Sequence, residues 1–186
     1  MSHKTHRCKY CKEKKPESEI VRVNLSWFCN YDHATSFAMD KLKTQSERQE
    51  RDKIKKMRDS VKTRREWLKE AQAAFNAYIR IRDDKQPCIS CGRHHQGQYH
   101  AGHFYTAKAR PDIRFNLQNV NKQCSVCNNH LSGNLLYYRA NLIAKIGVDK
   151  VEGLAMERPY KSDIEYLKRI KAIFTKKARL YKKSFR

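Results

Sequence analysis

Two cysteine pairs, Cys88-Ile-Ser-Cys91 and Cys124-Ser-Val-Cys127, lie a few tens of residues apart. That is the spacing of a tetrahedral four-thiolate zinc site, in which each pair sits on a tight knuckle and one ion ties two distant turns together. No other feature limits the fold as much, because whatever lies between the knuckles must leave and return to one point. Zinc held by four sulfurs has no open coordination position, so this ion is expected to be structural. Any catalysis then needs a second centre, and His100, His103, Asn119, Asn128, His130 and Asn134 are the side chains between and just after the knuckles that can supply it.

The other three of the seven cysteines are Cys8, Cys11 and Cys29. An odd count, nearly all in C-x2-C pairs, argues against a secreted disulfide framework and for reduced thiolates serving as metal ligands, which predicts a cytoplasmic protein. His33 stands four positions after Cys29 and completes a Cys3His set of Cys8, Cys11, Cys29 and His33 for a second structural zinc. The alternative has Cys29 packing as a small hydrophobe beside Trp27 and Phe28 while His33 caps the next helix, and His3 or His6 can also serve as fourth ligand.

Lys and Arg number 41 against 19 Asp and Glu, a net charge of +22 in 186 residues. Such an excess repels itself without a polyanion nearby, which makes nucleic acid the leading partner and an anionic membrane surface its rival. No apolar run is long enough to span a bilayer and none near Met1 resembles a leader, so no membrane partner and no export are expected. With 39% hydrophobic and 32% charged residues, one large core is not expected, and metal clips would support several thin ones.

Four regions follow from pattern. Residues 1–35 form the N-terminal Cys3His ribbon. Residues 36–86 form a charged helical region without proline or glycine until Pro87, one helix or two with a break near Ser60 to Thr63. Its first half has few large apolar residues and reads either as a solvated spacer whose charges pair at i,i+4 or as a cationic helix lying along phosphates. Its second half carries Trp67, Ala71, Phe75 and Ile79 at helical spacing and should pack on the zinc module.

Residues 87–146 form that module, ending in a helix from Leu135 to Ile146 stopped by Gly147. Residues 147–186 form a C-terminal helical region. It has a short helix from Val148 to Met156 and a last helix started by the capping-box pattern Ser162-Asp-Ile-Glu165.

Within residues 87–146, Tyr99 to Phe104 reads as a strand, Arg114 to Val120 as a return segment and Asn128 onward as the start of a helix. His103 before Phe104, Asn119 five residues ahead of Cys124, and Asn128 directly after Cys127 resemble the motif of the HNH, or ββα-metal, nucleases. The words AGHFYT, RFN, NVNKQC and CNNHLSGNL resemble the phage lambda NinG family, the recombination nucleases also called Rap. The likeness covers most of the chain. It implies structure-specific cleavage of branched DNA such as D-loops and Holliday junctions during phage recombination, in the host cytoplasm beside other recombination proteins. The expected fold class is mainly α with small zinc-stabilised α+β modules: a zinc-pinned ββα-metal core flanked by long basic helices and an N-terminal zinc ribbon.

Phosphodiester hydrolysis needs a water deprotonated near neutral pH, an electrophile for the charge on phosphorus, and help for the departing 3′ oxygen. His103 is the expected general base, and one Mg2+ or Mn2+ is the expected catalytic ion. Many HNH nucleases carry an Asp directly before the catalytic His, where this chain has Gly102. His100 is the replacement ligand, with Asn128 arriving from the helix, and an imidazole favours Mn2+ or another transition ion. Asn119 is expected to hold the loop and orient His103. His130 and Asn134 are candidates for phosphate or the metal shell, and Lys108, Arg110, Arg114, Lys122 and Arg139 for DNA phosphates.

Each has a plainer reading: His94 and His95 as exposed turn residues, His100 as a strand-end packing residue, Phe104 as core. Two-fold symmetric junctions predict a homodimer. The competing functions are a non-catalytic zinc protein that coats or bends nucleic acid and, more remotely, an RNA-binding ribosomal partner.

Overall fold

The computed structural model describes residues 4–157 and 159–184; His3, one alternative zinc ligand, lies outside them. The chain divides into two units, Met1–Lys62 and Thr63–Arg186. The expected ribbon and the first half of the charged region form one unit, and the other expected regions form the second.

In the first unit, β1 (Thr5–Arg7) pairs with β2 (Lys14–Pro16) and β3 (Val21–Val23) with β4 (Ser26–Phe28), both antiparallel. Cys8, Ile20 and Phe28 form its small core. Helix α1 (Tyr31–Val61) starts at Asn30, whose side chain accepts the His33 N–H at 2.8 Å. It buries no residue along its length. Helix-forming composition and pairs such as Glu47–Arg51 (3.9 Å) sustain it, in line with the solvated reading.

Lys62 turns extended, and α2 (Arg64–Arg82) restarts at Thr63. Thr63 Oγ1 accepts the Glu66 N–H while the Glu66 carboxylate accepts the Thr63 N–H at 2.8 Å, a reciprocal cap that fixes the break.

The second unit is built on α2. Trp67, Ala71, Phe75 and Ile79, each four residues apart, are all buried against Phe115, Val120 and the last helix, α5 (Ile164–Lys183), which contributes Leu167 and Phe174. The Phe75 ring meets Phe174 edge-on at 4.7 Å and Phe115 at 5.5 Å. A second cluster joins Ile113 to Tyr138 and Leu142 of α3 (Leu135–Ile146) and to Val151 and Leu154 around α4 (Val148–Gly153). Several thin cores thus replace one large one.

Strand β5 (Tyr99–His103) pairs antiparallel with β6 (Val120–Cys124), His100 opposite Gln123 and His103 opposite Val120. The return strand therefore begins where the sequence reading ended it. Residues 114–119 are instead a loop tied by Asn119, whose Oδ1 accepts the Tyr105 N–H at 2.8 Å and whose Nδ2 donates to the carbonyls of Tyr105 and Ile113. After Cys124 the chain makes a π-helical turn over Val126–His130, and α3 begins only at Leu135.

The last helix starts one residue later than expected. Asp163, not Ser162, accepts the Tyr166 N–H, and the Ser162 carbonyl accepts from Arg64 Nε. The end of α2 is anchored by Asp83, buried and clasped by both ends of the Arg82 guanidinium (2.7 and 2.6 Å), with the Lys122 N–H donating to it at 3.0 Å. Among the described residues no helix is long and apolar enough to cross a membrane.

Candidate metal centres and active-site cavity

Two groups of side chains have the geometry of metal sites: Cys8, Cys11, Cys29 and His33, and Cys88, Cys91, Cys124 and Cys127. Within each group all ligand atoms lie within 4.8 Å of one another. This fits tetrahedral zinc with Zn–S bonds of about 2.3 Å. In the first group His33 Nδ1 is 3.6 Å from Cys8 Sγ, and Cys11 Sγ is 3.5 Å from Cys29 Sγ. His33 therefore faces the sulfurs, and the helix cap is Asn30.

The thiols respond to that crowding. Burial and the neighbouring sulfurs push Cys29 up to about 12; at Cys8 burial is outweighed by the N–H groups of Cys11, Cys29 and Tyr10, which hold it at about 6.

The second group is wired into the fold. The Cys124 N–H donates to Cys88 Sγ at 3.3 Å and the Cys127 N–H to Cys124 Sγ at 3.4 Å, bonds that stabilise thiolate. Asn134, a candidate for phosphate or for the catalytic metal shell, points Nδ2 at Cys127 Sγ (3.6 Å) and starts α3 in a left-handed conformation. His95, read as a turn residue, sets Nε2 3.0 Å from Cys91 Sγ.

Beside the hairpin lies a cavity of about 600 Å3 whose lining includes His100, His103 and Asn128, the three residues assigned to chemistry. His103 Nε2 donates to the Arg114 carbonyl at 3.1 Å, so in the neutral ring Nδ1 carries the lone pair. Burial holds its pKa below the ordinary histidine value, with the Arg114 charge acting the same way against the backbone carbonyls of Arg114 and Ala101. His100 Nε2 is buried and has no hydrogen-bond partner. Asn128 donates from Nδ2 to Asn129, which leaves Oδ1 available. Among the described residues no Asp or Glu lines the cavity.

The structure also accounts for Gly102. A Cβ there would stand 2.0 Å from Gln123 Oε1. That carboxamide crosses the strand to donate to Ser90 Oγ and to the Gly133 carbonyl, joining the first knuckle to the turn before α3. The place where an acid was looked for is thus filled from the neighbouring strand. Gln123 was not singled out in the sequence, and Tyr138 reads there only as an apolar position of its helix; it is buried and its hydroxyl donates to the Gly102 carbonyl at 3.0 Å.

The expected DNA contacts divide. Lys108, Arg139 and His130 are exposed. Asn134 is taken up by Cys127, and Arg110, Arg114 and Lys122 are occupied within the chain. Arg110 forks onto Asp112 (2.9 and 2.6 Å) and caps the carbonyls of Leu154, Ala155 and Met156. Arg114 donates to the Ala107 carbonyl at 2.9 Å. Lys122 is buried, its ammonium on the Asp84 carbonyl and over the Tyr99 ring at 4.0 Å. The carbonyls they satisfy lie in turns, those of Leu154 to Met156 and of Asp84 remote in sequence, and a long side chain can reach such a group once the chain has folded.

Conversely, one cavity wall comes from an element the sequence reading gave only a packing role. Gln72, Asn76 and Arg80, four residues apart on α2, line it, with Gln72 Nε2 donating to Asn76 Oδ1 at 2.8 Å. The signal was legible as a polar stripe beside the apolar one.

A family model described as "Bacteriophage Lambda NinG protein" matches residues 1–184. The chain belongs to the NinG family. It is 39% identical over 166 residues to protein ninG of Escherichia phage lambda, covering 81% of each chain. To protein ninG of Escherichia phage 933W it is 36% identical over 186 residues, covering 92% of this chain and 90% of that one. Protein ninG of Salmonella phage P22 is 37% identical over 166 residues, 81% of this chain and 82% of its own. No solved structure matches. Both cysteine clusters and the whole cavity fall inside the region that the NinG family model spans.

Proposed function

We propose that this NinG protein is a structure-specific endonuclease that hydrolyses phosphodiester bonds in branched DNA, D-loops and Holliday junctions among them. The observation that carries the reading is the convergence of His103, His100 and Asn128 on one cavity beside a cysteine-pinned hairpin. The order strand, strand, helix around that cluster supports the ββα-metal resemblance.

The residues fit a catalytic cation in a particular way. His100 Nε2, buried without a partner, and Asn128 Oδ1 are neutral nitrogen and oxygen donors, and no carboxylate stands beside them. Such a set suits Mn2+ or another transition ion better than Mg2+. When bound, the ion would polarise the phosphate and stabilise the leaving 3′ oxygen.

The remaining steps belong to the chain. The Arg114 carbonyl fixes the tautomer of His103, burial keeps that ring neutral near pH 7, and Nδ1 is the nitrogen that would take a proton from the attacking water. Asn119 holds the loop that carries the Arg114 carbonyl. Paired cuts on a two-fold symmetric junction call for a homodimer.

The absence of an acid from the cavity wall favours a second reading, a non-catalytic zinc protein that accompanies recombination by binding nucleic acid. One residue separates the two. Wild type and His103→Ala should bind a labelled four-way junction equally, and only wild type should cut it when Mn2+ or Mg2+ is supplied. If neither cuts, the binding protein is the correct description.

For the nuclease, kcat/KM should rise with pH through an apparent pKa below 6.5, because the base works deprotonated and its folded pKa is lowered. A rise centred above 7 would remove His103 from that role.

A further inference from the structure

We propose that the DNA strand flanking the scissile phosphate leaves the cavity over Arg80 and runs along a cationic track formed by the end of α2 and the last turn of α5. In this arrangement Arg80 is a phosphate-positioning residue. The inference rests on the nucleic-acid reading above and adds the path of the substrate and the residues that bind it.

Arg80 lines two cavities at once. One is the cavity of His100 and His103; the other, about 650 Å3, lies between the end of α2 and α5 and is also lined by Lys85, Tyr181 and Lys182. Among the described residues nothing else lines both, so the two cavities adjoin at this residue. Arg80 and Lys182 are exposed, and among the described residues neither has a hydrogen bond or ion pair.

That separates them from the other cations of the region. Arg82, on the same wall, is committed to Asp83 and to the carbonyls of Leu117 and Val120. Arg110, Arg114 and Lys122 are likewise spent inside the chain. A protein with a net charge of +22 must present cations somewhere, and at the cavity mouth Arg80 is the one that remains.

The geometry suits a backbone. Gln72, Asn76 and Arg80 form one face of α2 spanning roughly 12 Å of axis, the rise of about three nucleotides. Among the described residues Asp84 is the single acid on the wall of the second cavity and there is none on the first. A polyanion therefore meets almost unopposed positive potential along the path. Tyr181, edge-on to Tyr78 at 6.3 Å, stands near the end of the track.

The test is binding of a fluorescent four-way junction by the full chain, with divalent ions withheld, across a KCl series. Arg80→Ala and Lys182→Ala should each make the slope of log K against log salt shallower by roughly 0.7–0.9, and the double variant by about twice that. Arg80→Lys should restore most of the slope. Lys150→Ala, an exposed cation of α4 away from both cavities, should leave it unchanged.

Slopes like wild type for both alanine variants, with melting unaltered, overturn the track. So does an equal loss in Lys150→Ala, which would mean diffuse charge. If the variants lose slope while wild type fails to cut, the track stands and the nuclease reading falls. If wild type cuts and the variants bind normally, the nuclease stands and the track falls.

Discussion

The two leading knuckles make the same turn with different residues at its hardest point. In each, the residue after the second cysteine donates its N–H to the carbonyl of the first, Lys12 to Cys8 at 3.1 Å and Gly92 to Cys88 at 2.9 Å. The first cysteine then donates to the next carbonyl, Cys8 to Glu13 and Cys88 to Arg93. Lys12 has φ 68° and Gly92 φ 67°, both left-handed. A side chain there costs roughly 1–2 kcal/mol that glycine avoids. The turn is thus dictated by where the sulfurs must go, and residue preference yields to it.

The surroundings differ more than the turns do. In the first cluster only Cys8 is buried and Cys11 is exposed. In the second, Cys88, Cys124 and Cys127 are all buried. Their knuckle also holds the rest of the unit: Ser90 Oγ donates to the Gly133 carbonyl, and Asn141 of α3 donates to the carbonyls of Ile89 and Ser90. The first cluster staples a local ribbon, and the second is a hub on which the cavity depends.

The largest effect should therefore come from the hub. Cys124→Ser is expected to abolish metal retention at that cluster and melt the second unit, and with it any junction cleavage of the proposed nuclease, because structural zinc binding is folding free energy on the order of 10 kcal/mol. Elemental analysis and thermal melting read this out. A folded, zinc-loaded and merely slow variant would break the distinction between hub and staple.

Cys11→Ser should lower the zinc count from two per chain to one and loosen the ribbon, while the melting of the second unit and the cleavage proposed for it persist. If the second unit melts as well, the two clusters are one cooperative system.

How much of this could be read beforehand divides along the same line. Cysteine spacing was legible at both clusters because a four-ligand shell leaves little freedom of position, and α2 was legible because its apolar residues recur every four. What could not be read depends on neighbours distant in sequence. The β6 start, the Asp163 cap and the commitments of Arg110, Arg114 and Lys122 are settled by which carbonyl each group meets after folding. Gly102 is the sharpest case. It looked like a lost acid beside His103, and its meaning came from Gln123, directly across the hairpin from His100.

Gly102→Ala tests that meaning at intermediate size. With Gln123 Oε1 2.0 Å and Gln123 Cβ 2.9 Å from the added carbon, the carboxamide must leave Ser90 and Gly133. The expected loss is about 1–3 kcal/mol of unfolding free energy in the second unit, seen in denaturant midpoints. No change would mean that Gln123 gives way freely and the link between knuckle and turn is dispensable.

The smallest effects come from exchanging the knuckle residues. Gly92→Ala places a Cβ in open space but at φ 67°, so the penalty is conformational alone, roughly 1–2 kcal/mol, and falls on the second unit. Lys12→Gly removes a similar penalty from the first and should raise the stability of the ribbon by up to about that amount, reduced by the entropy glycine adds to the unfolded chain. Both are best measured with zinc saturating, so that metal affinity does not mask backbone strain. Opposite signs at the two positions would show that the turns are equivalent and only their residues differ. If Lys12→Gly destabilises, the lysine contributes more than its strain costs, and the Lys12 Nζ bond to the Lys9 carbonyl at 2.5 Å is the contact to remove next.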